Sequence, residues 1–173
     1  SYAELTFSPR QAFVYTPTDK DTLKLIYNRS VRRTSDFFLR TEYVNTRSES
    51  DQTETMDNYE LRYLRQASEN LTLGLSGFYS MLDILGFDGG AQANVPLGDL
   101  SLYGFEFEAE YESDKFKVLL SHAWTQMHDF DLENDSVTTP VTSASAYGYG
   151  DDLAHWSNHI SKLYGEYYIN KKW

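Results

Sequence analysis

Ten consecutive residues constrain this chain more than any others. Tyr103, Phe105, Phe107, Ala109 and Tyr111 alternate with Gly104, Glu106, Glu108, Glu110 and Glu112. An α-helix would scatter both sets around its circumference. A β-strand sorts them, with five apolar groups on one face and four carboxylates on the other. The segment is a strand with two chemically opposed faces, and whatever it joins must satisfy both.

The same period recurs along the chain. Leu71, Leu73, Leu75, Gly77 and Tyr79 alternate with Thr72, Gly74, Ser76, Phe78 and Ser80. Phe116, Val118, Leu120, His122 and Trp124 repeat the pattern, as do Leu23, Leu25 and Tyr27 more loosely. Tyr59, Leu61 and Tyr63 oppose Glu60, Arg62 and Leu64, and Leu163, Gly165, Tyr167 and Ile169 oppose Lys162, Tyr164, Glu166 and Tyr168. A first strand over Arg10 to Thr16 makes seven, with no convincing helix between them. The fold class is all-β, an antiparallel up-and-down meander of about seven strands.

The connections alternate. Those at 17–21, 66–70 and 113–115 are short, whereas 34–57, 86–99 and 130–158 are long and polar. A soluble sandwich has no reason to put its long loops at one end. A transmembrane β-barrel of the outer-membrane type does, with short periplasmic turns and long extracellular loops. Tyr15, Tyr27, Tyr59, Tyr79, Tyr103, Tyr111, Phe116 and Trp124 fall near the expected strand ends, where interfacial girdles place amphipathic rings. A small soluble barrel would also alternate, so the loop order and the aromatic ends favour the membrane.

Composition excludes several other classes. Asp and Glu number 26 against 15 Lys and Arg, a net charge of -11, which argues against nucleic acid as a partner. With no cysteine there is no thiolate catalysis, disulfide framework or Cys-ligated metal. Aromatic residues make up 16% of the chain, too many for a solvated tail. No apolar run approaches the roughly 18 residues of a spanning helix.

Several motifs in register add a resemblance. Ser8-Pro9-Arg10, Val14-Tyr15-Thr16-Pro17 and Leu23 to Arg32 resemble the barrel of TonB-dependent outer-membrane receptors. Asn58-Tyr59-Glu60-Leu61, Phe78-Tyr79 and Gly104-Phe105-Glu106-Phe107-Glu108 are similar to later strands of that family, and the likeness runs from Ser8 to about Tyr168. Thr55-Met56-Asp57 stands where the family has Pro-Glu, and Arg33-Thr34-Ser35 where it has a Pro. The plug domain and TonB box have no counterpart here. The resemblance implies one partial outer-membrane barrel segment over residues 1–173, interior to C-terminal, from the wall of a bacterial receptor. It further implies import of a scarce ligand of the siderophore, cobalamin or oligosaccharide class. The partners would be outer-membrane lipid, the remaining strands and plug, the barrel-assembly machinery, and TonB only through the plug.

The candidate site residues follow from that frame. Glu106, Glu108 and Glu110 are expected to face the lumen, and Leu71, Leu73, Leu75, Phe105 and Phe107 the lipid. Spacing alone would let the glutamates act as paired carboxylates, but a hydrated wall accounts for them. Arg32, Arg33, Arg40, His128, Asp129, Asp131 and Trp156 are candidate ligand contacts in extracellular loops, with Arg47 a further loop arginine. Arginine suits planar anions such as a chelate carboxylate or a lipid phosphate.

The acidic run from His128 to Asp135 has oxygen ligands for calcium but lacks the glycine of an EF-hand loop. His155 and His159 are four apart, a ligand spacing on a helix but not on a strand. Ser157-Asn158-His159-Ile160-Ser161 holds the residue types of a serine hydrolase without evidence of convergence. No catalytic residue, cofactor or metal is assigned. The alternatives to a receptor wall are a small self-contained outer-membrane barrel, acting as a passive pore or surface binding protein, and a barrel enzyme using Ser161 or His159.

Overall fold

A computed structural model describes residues 7–33, 53–88, 93–132 and 157–169. They form seven strands and no helix: β1 (Arg10–Thr18), β2 (Asp21–Arg33), β3 (Thr53–Ser68), β4 (Leu71–Asp88), β5 (Ala93–Glu112), β6 (Phe116–Leu132) and β7 (His159–Tyr167). All lie in one sheet in the order β1-β2-β3-β4-β5-β6-β7, each antiparallel to its sequence neighbour. The meander is open, because β1 and β7 are its two edges.

The strands are longer than the alternation alone indicates. β3 to β6 run 16, 18, 20 and 17 residues. The 86–99 stretch is not a long loop. β4 continues to Asp88 and β5 begins at Ala93, paired rung by rung. The 34–57 stretch likewise ends inside β3, which starts at Thr53, and the 130–158 stretch begins inside β6. The break in pattern that suggests a loop is a bulge. Ile84 faces Gly98 but Leu85 faces Pro96, leaving residue 97 as the extra one. Gly98 has φ 143°, a conformation that favours glycine, and the bulge accommodates a proline that cannot donate to a regular ladder.

Register puts every apolar set on one face. Leu75 pairs with Phe107, Phe107 with His122, and Leu73 with Ala109 and Arg65. Tyr63 pairs with Leu23, which faces Tyr15. The other face holds Lys24, Glu60, Arg62, Ser76, Glu106, Glu108 and Lys117. The lower turns descend as a staircase: Asp21 opens β2 and pairs with Arg65, yet β3 continues to Ser68, and β5 and β6 pair still lower at Glu112 and Lys117. Such a stagger is what tilted strands need in a barrel wall.

Burial runs opposite to a soluble domain. Leu75 is 53% exposed, while its neighbour Ser76 is 5% exposed. Leu100 is the one buried hydrophobic residue among those described. In a single-layered sheet, crowding on one face and splaying on the other means the sheet curls toward the crowded, polar face. The apolar set lies on the convex side.

Candidate functional site

The convex face is a continuous apolar surface. Phe13, Leu25, Leu61, Leu75, Phe105, Phe116, Leu120, Leu163 and Tyr167 are all exposed on it. Monomeric soluble proteins rarely leave patches beyond a few hundred Å² uncovered. Leu71, Leu73, Leu75, Phe105 and Phe107 belong to this face by register.

Its upper border is a row of four tyrosines contributed by adjacent strands. Tyr27, Tyr59, Tyr79 and Tyr103 are successive cross-strand neighbours. The Tyr27 and Tyr59 ring centroids are 5.1 Å apart, and Tyr103 meets Trp124 edge-on at 5.5 Å. These rings are not at strand ends, since β2 to β5 continue past them.

Charges begin one step above. Arg29 donates from Nε to Asp57 at 2.8 Å, and Tyr27 Oη donates to the same carboxylate. A matching cluster closes the lower side, where Tyr63 Oη donates to Asp21 at 2.5 Å and Arg65 lies 3.1 Å from it. Asp57 and Arg65 are eight residues apart on β3. That is about 27 Å along a strand. At the roughly 40° tilt of barrel strands it spans about 20 Å of depth, near the ~25 Å apolar band of membrane barrels.

The concave face carries paired charges over small residues. Arg62 of β3 reaches across β4 to an ion pair with Glu108 of β5. Gly74 and Ser76 lie beneath; a Cβ on Gly74 would sit 3.3 Å from Glu108 Oε2. Lys117 pairs with Glu110 and, at 3.4 Å, with Glu112. Ser80 Oγ donates to Asn58 at 2.7 Å. Glu106, Glu108 and Glu110 are on this face, and two of the three have basic partners.

The ligand candidates are more scattered. Arg32 is in β2, not a loop, and pairs with Glu54 across the ladder. Arg33 is the last residue of β2, opposite Thr53. His128, Asp129 and Asp131 are on β6, again not in a loop; Asp131 faces Asp99 and the His128 ring lies 5.9 Å from that of Tyr103. Arg40 and Trp156 lie outside the described residues, as do Arg47 and His155. A cleft of about 370 Å³ opens among Arg32, Glu54, Met56 and Leu82 at the upper ends of β2 to β4. Among the described residues no three His, Asp or Glu side chains converge on a metal position.

One grouping escapes sequence inspection. His122 Nδ1 is 2.8 Å from Ser161 Oγ, and His159 Nδ1 is 3.5 Å from His122 Nε2. His159 therefore meets a histidine from β6, 37 positions away, and only the β6–β7 register could have revealed it.

The fold has a solved counterpart. It is similar to part of the FrpB iron transporter from Neisseria meningitidis (F3-3 variant), with a TM-score of 0.59 and 14% sequence identity. The likeness covers 76% of this chain and 21% of that one, so the chain spans about a fifth of the length of the transporter. No protein-family profile and no curated protein sequence matches the chain. The comparison establishes the fold: an antiparallel meander of the kind that forms part of a transporter.

Proposed function

We propose that the chain is a wall segment of a TonB-dependent receptor in a bacterial outer membrane. The observation that carries this reading is the inverted burial, with an exposed apolar band bordered by aromatic rings and then by charges. Lipid would cover the convex face. The concave face would line a lumen, holding a plug supplied by the parent chain.

The strands of β2 to β6 exceed the 9–11 residues needed to cross a membrane. The surplus stands above the tyrosine row and would carry the ligand-capturing segments outward. The transported class is an iron chelate, favoured over cobalamin or an oligosaccharide by the iron transporter whose fold this one matches. The segment itself performs no covalent chemistry. Its other partners are the remaining barrel strands, TonB through the plug, and the barrel-assembly machinery. Among the described residues β1 and β7 are edges, which supports a wall segment over a small self-contained barrel.

The test is chelate uptake by cells expressing the full-length receptor with residues 134–147 removed. This deletion leaves all seven strands intact. Uptake should fall severalfold while surface-exposed barrel stays at parental level. Unchanged uptake would remove that segment from ligand capture. Failure of the parent protein to reach the outer membrane at all would end the barrel reading.

A further inference from the structure

Leu100, buried among the described residues, belongs to a row that neither the lipid face nor the charged lumen wall accounts for. Ser30, Met56, Leu82, Leu100 and Phe130 are successive partners across β2 to β6. Met56 and Arg62 are six residues apart on β3, an even step, so the row lies on the concave face. Four apolar side chains therefore face inward above the tyrosine row, at a height where the convex side carries Arg29 and Asp57.

Polar pairs bound this row. Ser80 Oγ donates to Asn58 below it, and Arg32 pairs with Glu54 above it. Glu54 also accepts the Leu85 N–H at 3.4 Å. The cleft of about 370 Å³ opens at the β2–β4 end of the row, among Ser30, Arg32, Glu54, Met56, Leu82 and Ile84. Ligand pockets run about 300–1,000 Å³ and are mostly apolar with a few polar groups. We propose that this cleft binds a neutral aromatic group of about two fused rings, carried as an arm of a larger ligand. The inference rests on the receptor reading, which makes that ligand a chelate, and adds the chemistry of one part of it.

Size and charge choose the occupant. An apolar cavity of about 150 Å³ holds one benzene, so the cleft has room for roughly two rings. The charges at its inner rim, Arg32 and Glu54, neutralise each other. A charged group would lose water there without gaining a partner. The Met56 thioether suits the edge of an aromatic ring. A plug segment fits less well, because its backbone N–H and C=O groups need partners, and Asn58, Ser80, Arg32 and Glu54 already serve each other. A rigid ring system brings no such groups and gives up little conformational freedom.

The experiment titrates the full chain, folded in detergent micelles and carrying ¹³C-labelled Met and Leu methyl groups, with 2-naphthol. The three methionines make the readout selective. Met56 lines the cleft, Met81 is on the convex face opposite Asp57, and Met127 is on β6 opposite Leu102. The Met56 and Leu82 resonances should shift saturably, with a one-to-one end point. That of Met81 should move only in proportion to the probe dissolved in the micelle. 2-Naphthoate, of the same size but anionic, should bind about tenfold more weakly. Ile84→Trp should abolish the Met56 shift, whereas Met127→Leu should leave it unchanged. Absence of a saturable Met56 shift, or tighter binding of 2-naphthoate, would overturn the proposal. Contacts of the Leu75 and Leu163 methyl groups with detergent tails report the receptor reading separately, and their absence would end that reading whatever the cleft binds.

Discussion

Tyr27 donates its hydroxyl hydrogen to Asp57 at 2.8 Å, joining the last aromatic ring of the convex face to the first charge above it. Arg29 holds the same carboxylate, so apolar surface gives way to a neutralised trio within one strand step. An unpaired carboxylate there would carry the polar border into the apolar face; a paired one defines it.

That trio should be worth little in isolation. The Arg29 side chain is 44% exposed although Asp57 is 15% exposed, and an ion pair with one partner in solvent contributes little net stability. A double-mutant cycle of Arg29→Ala and Asp57→Ala, read by urea unfolding in micelles, should be close to additive, the double variant losing about the sum of the two single losses. Strong non-additivity would mean that the pair is desolvated and that the apolar border lies above Arg29.

Adjacent residues of β5 should respond in opposite ways. Phe107→Lys places a charge on the convex face mid-band, at about 2–4 kcal/mol. It should block assembly. Glu108→Gln keeps a hydrogen-bond acceptor for Arg62 and should assemble at the parental level. Heat-modifiable migration on gels measures both, and equal behaviour would contradict the assignment of faces.

Gly104 should tolerate no side chain. A Cβ there would collide with the carbonyl oxygen of Trp124 and lie 2.6 Å from Phe78 Cζ. Gly104→Ala must therefore part β5 from β6 or displace the Phe78 ring, and overpacking of this kind costs about 1–3 kcal/mol. Phe78→Ala should restore only a part of the loss, because the Trp124 carbonyl stays in place. Full restoration would show that the backbone can yield.

The two edges should be the weakest part of the ladder. Each strand from β2 to β6 has partners on both sides, whereas β1 and β7 have one. Amide hydrogen exchange on the isolated chain in micelles should be fast for the outer-facing amides of β1 and β7. It should be slowest in β4 and β5. Uniform protection of both edges would signal closure or pairing between copies, and crosslinking would tell these apart.

Much of the ladder is legible because parity carries contrast. Between Tyr103 and Glu112 one face is apolar and the other charged, so β5 announces its orientation. Above the tyrosine row the contrast vanishes, as Arg29, Asp57, Asp83 and Asp99 on the convex side meet Arg32 and Glu54 on the other. With polar groups on both faces no period survives, which is why the upper ends of β3, β4 and β5 resemble loops. Pro96 and Gly98 strengthen that impression, and only the bulge explains them. The histidine pair is illegible for another reason: neighbours across a ladder are set by register, and the connection before β7 hides it.

An inverted sheet also changes what substitution can preserve. In a water-soluble core each side chain must match the shape of fixed neighbours, so relatives keep recognisable letters. On the proposed reading the convex face meets hydrocarbon tails, which are fluid and fit themselves to whatever protrudes. Leu75, Phe105 or Leu120 would there need only be oily, and leucine, valine or phenylalanine would serve each place alike. Drift on such a surface is nearly free as long as odd and even positions keep their roles. Two chains can then share a fold while agreeing at 14% of matched positions, as this one and part of the iron transporter do. The fold of such a sheet is better sought in rhythm than in spelling.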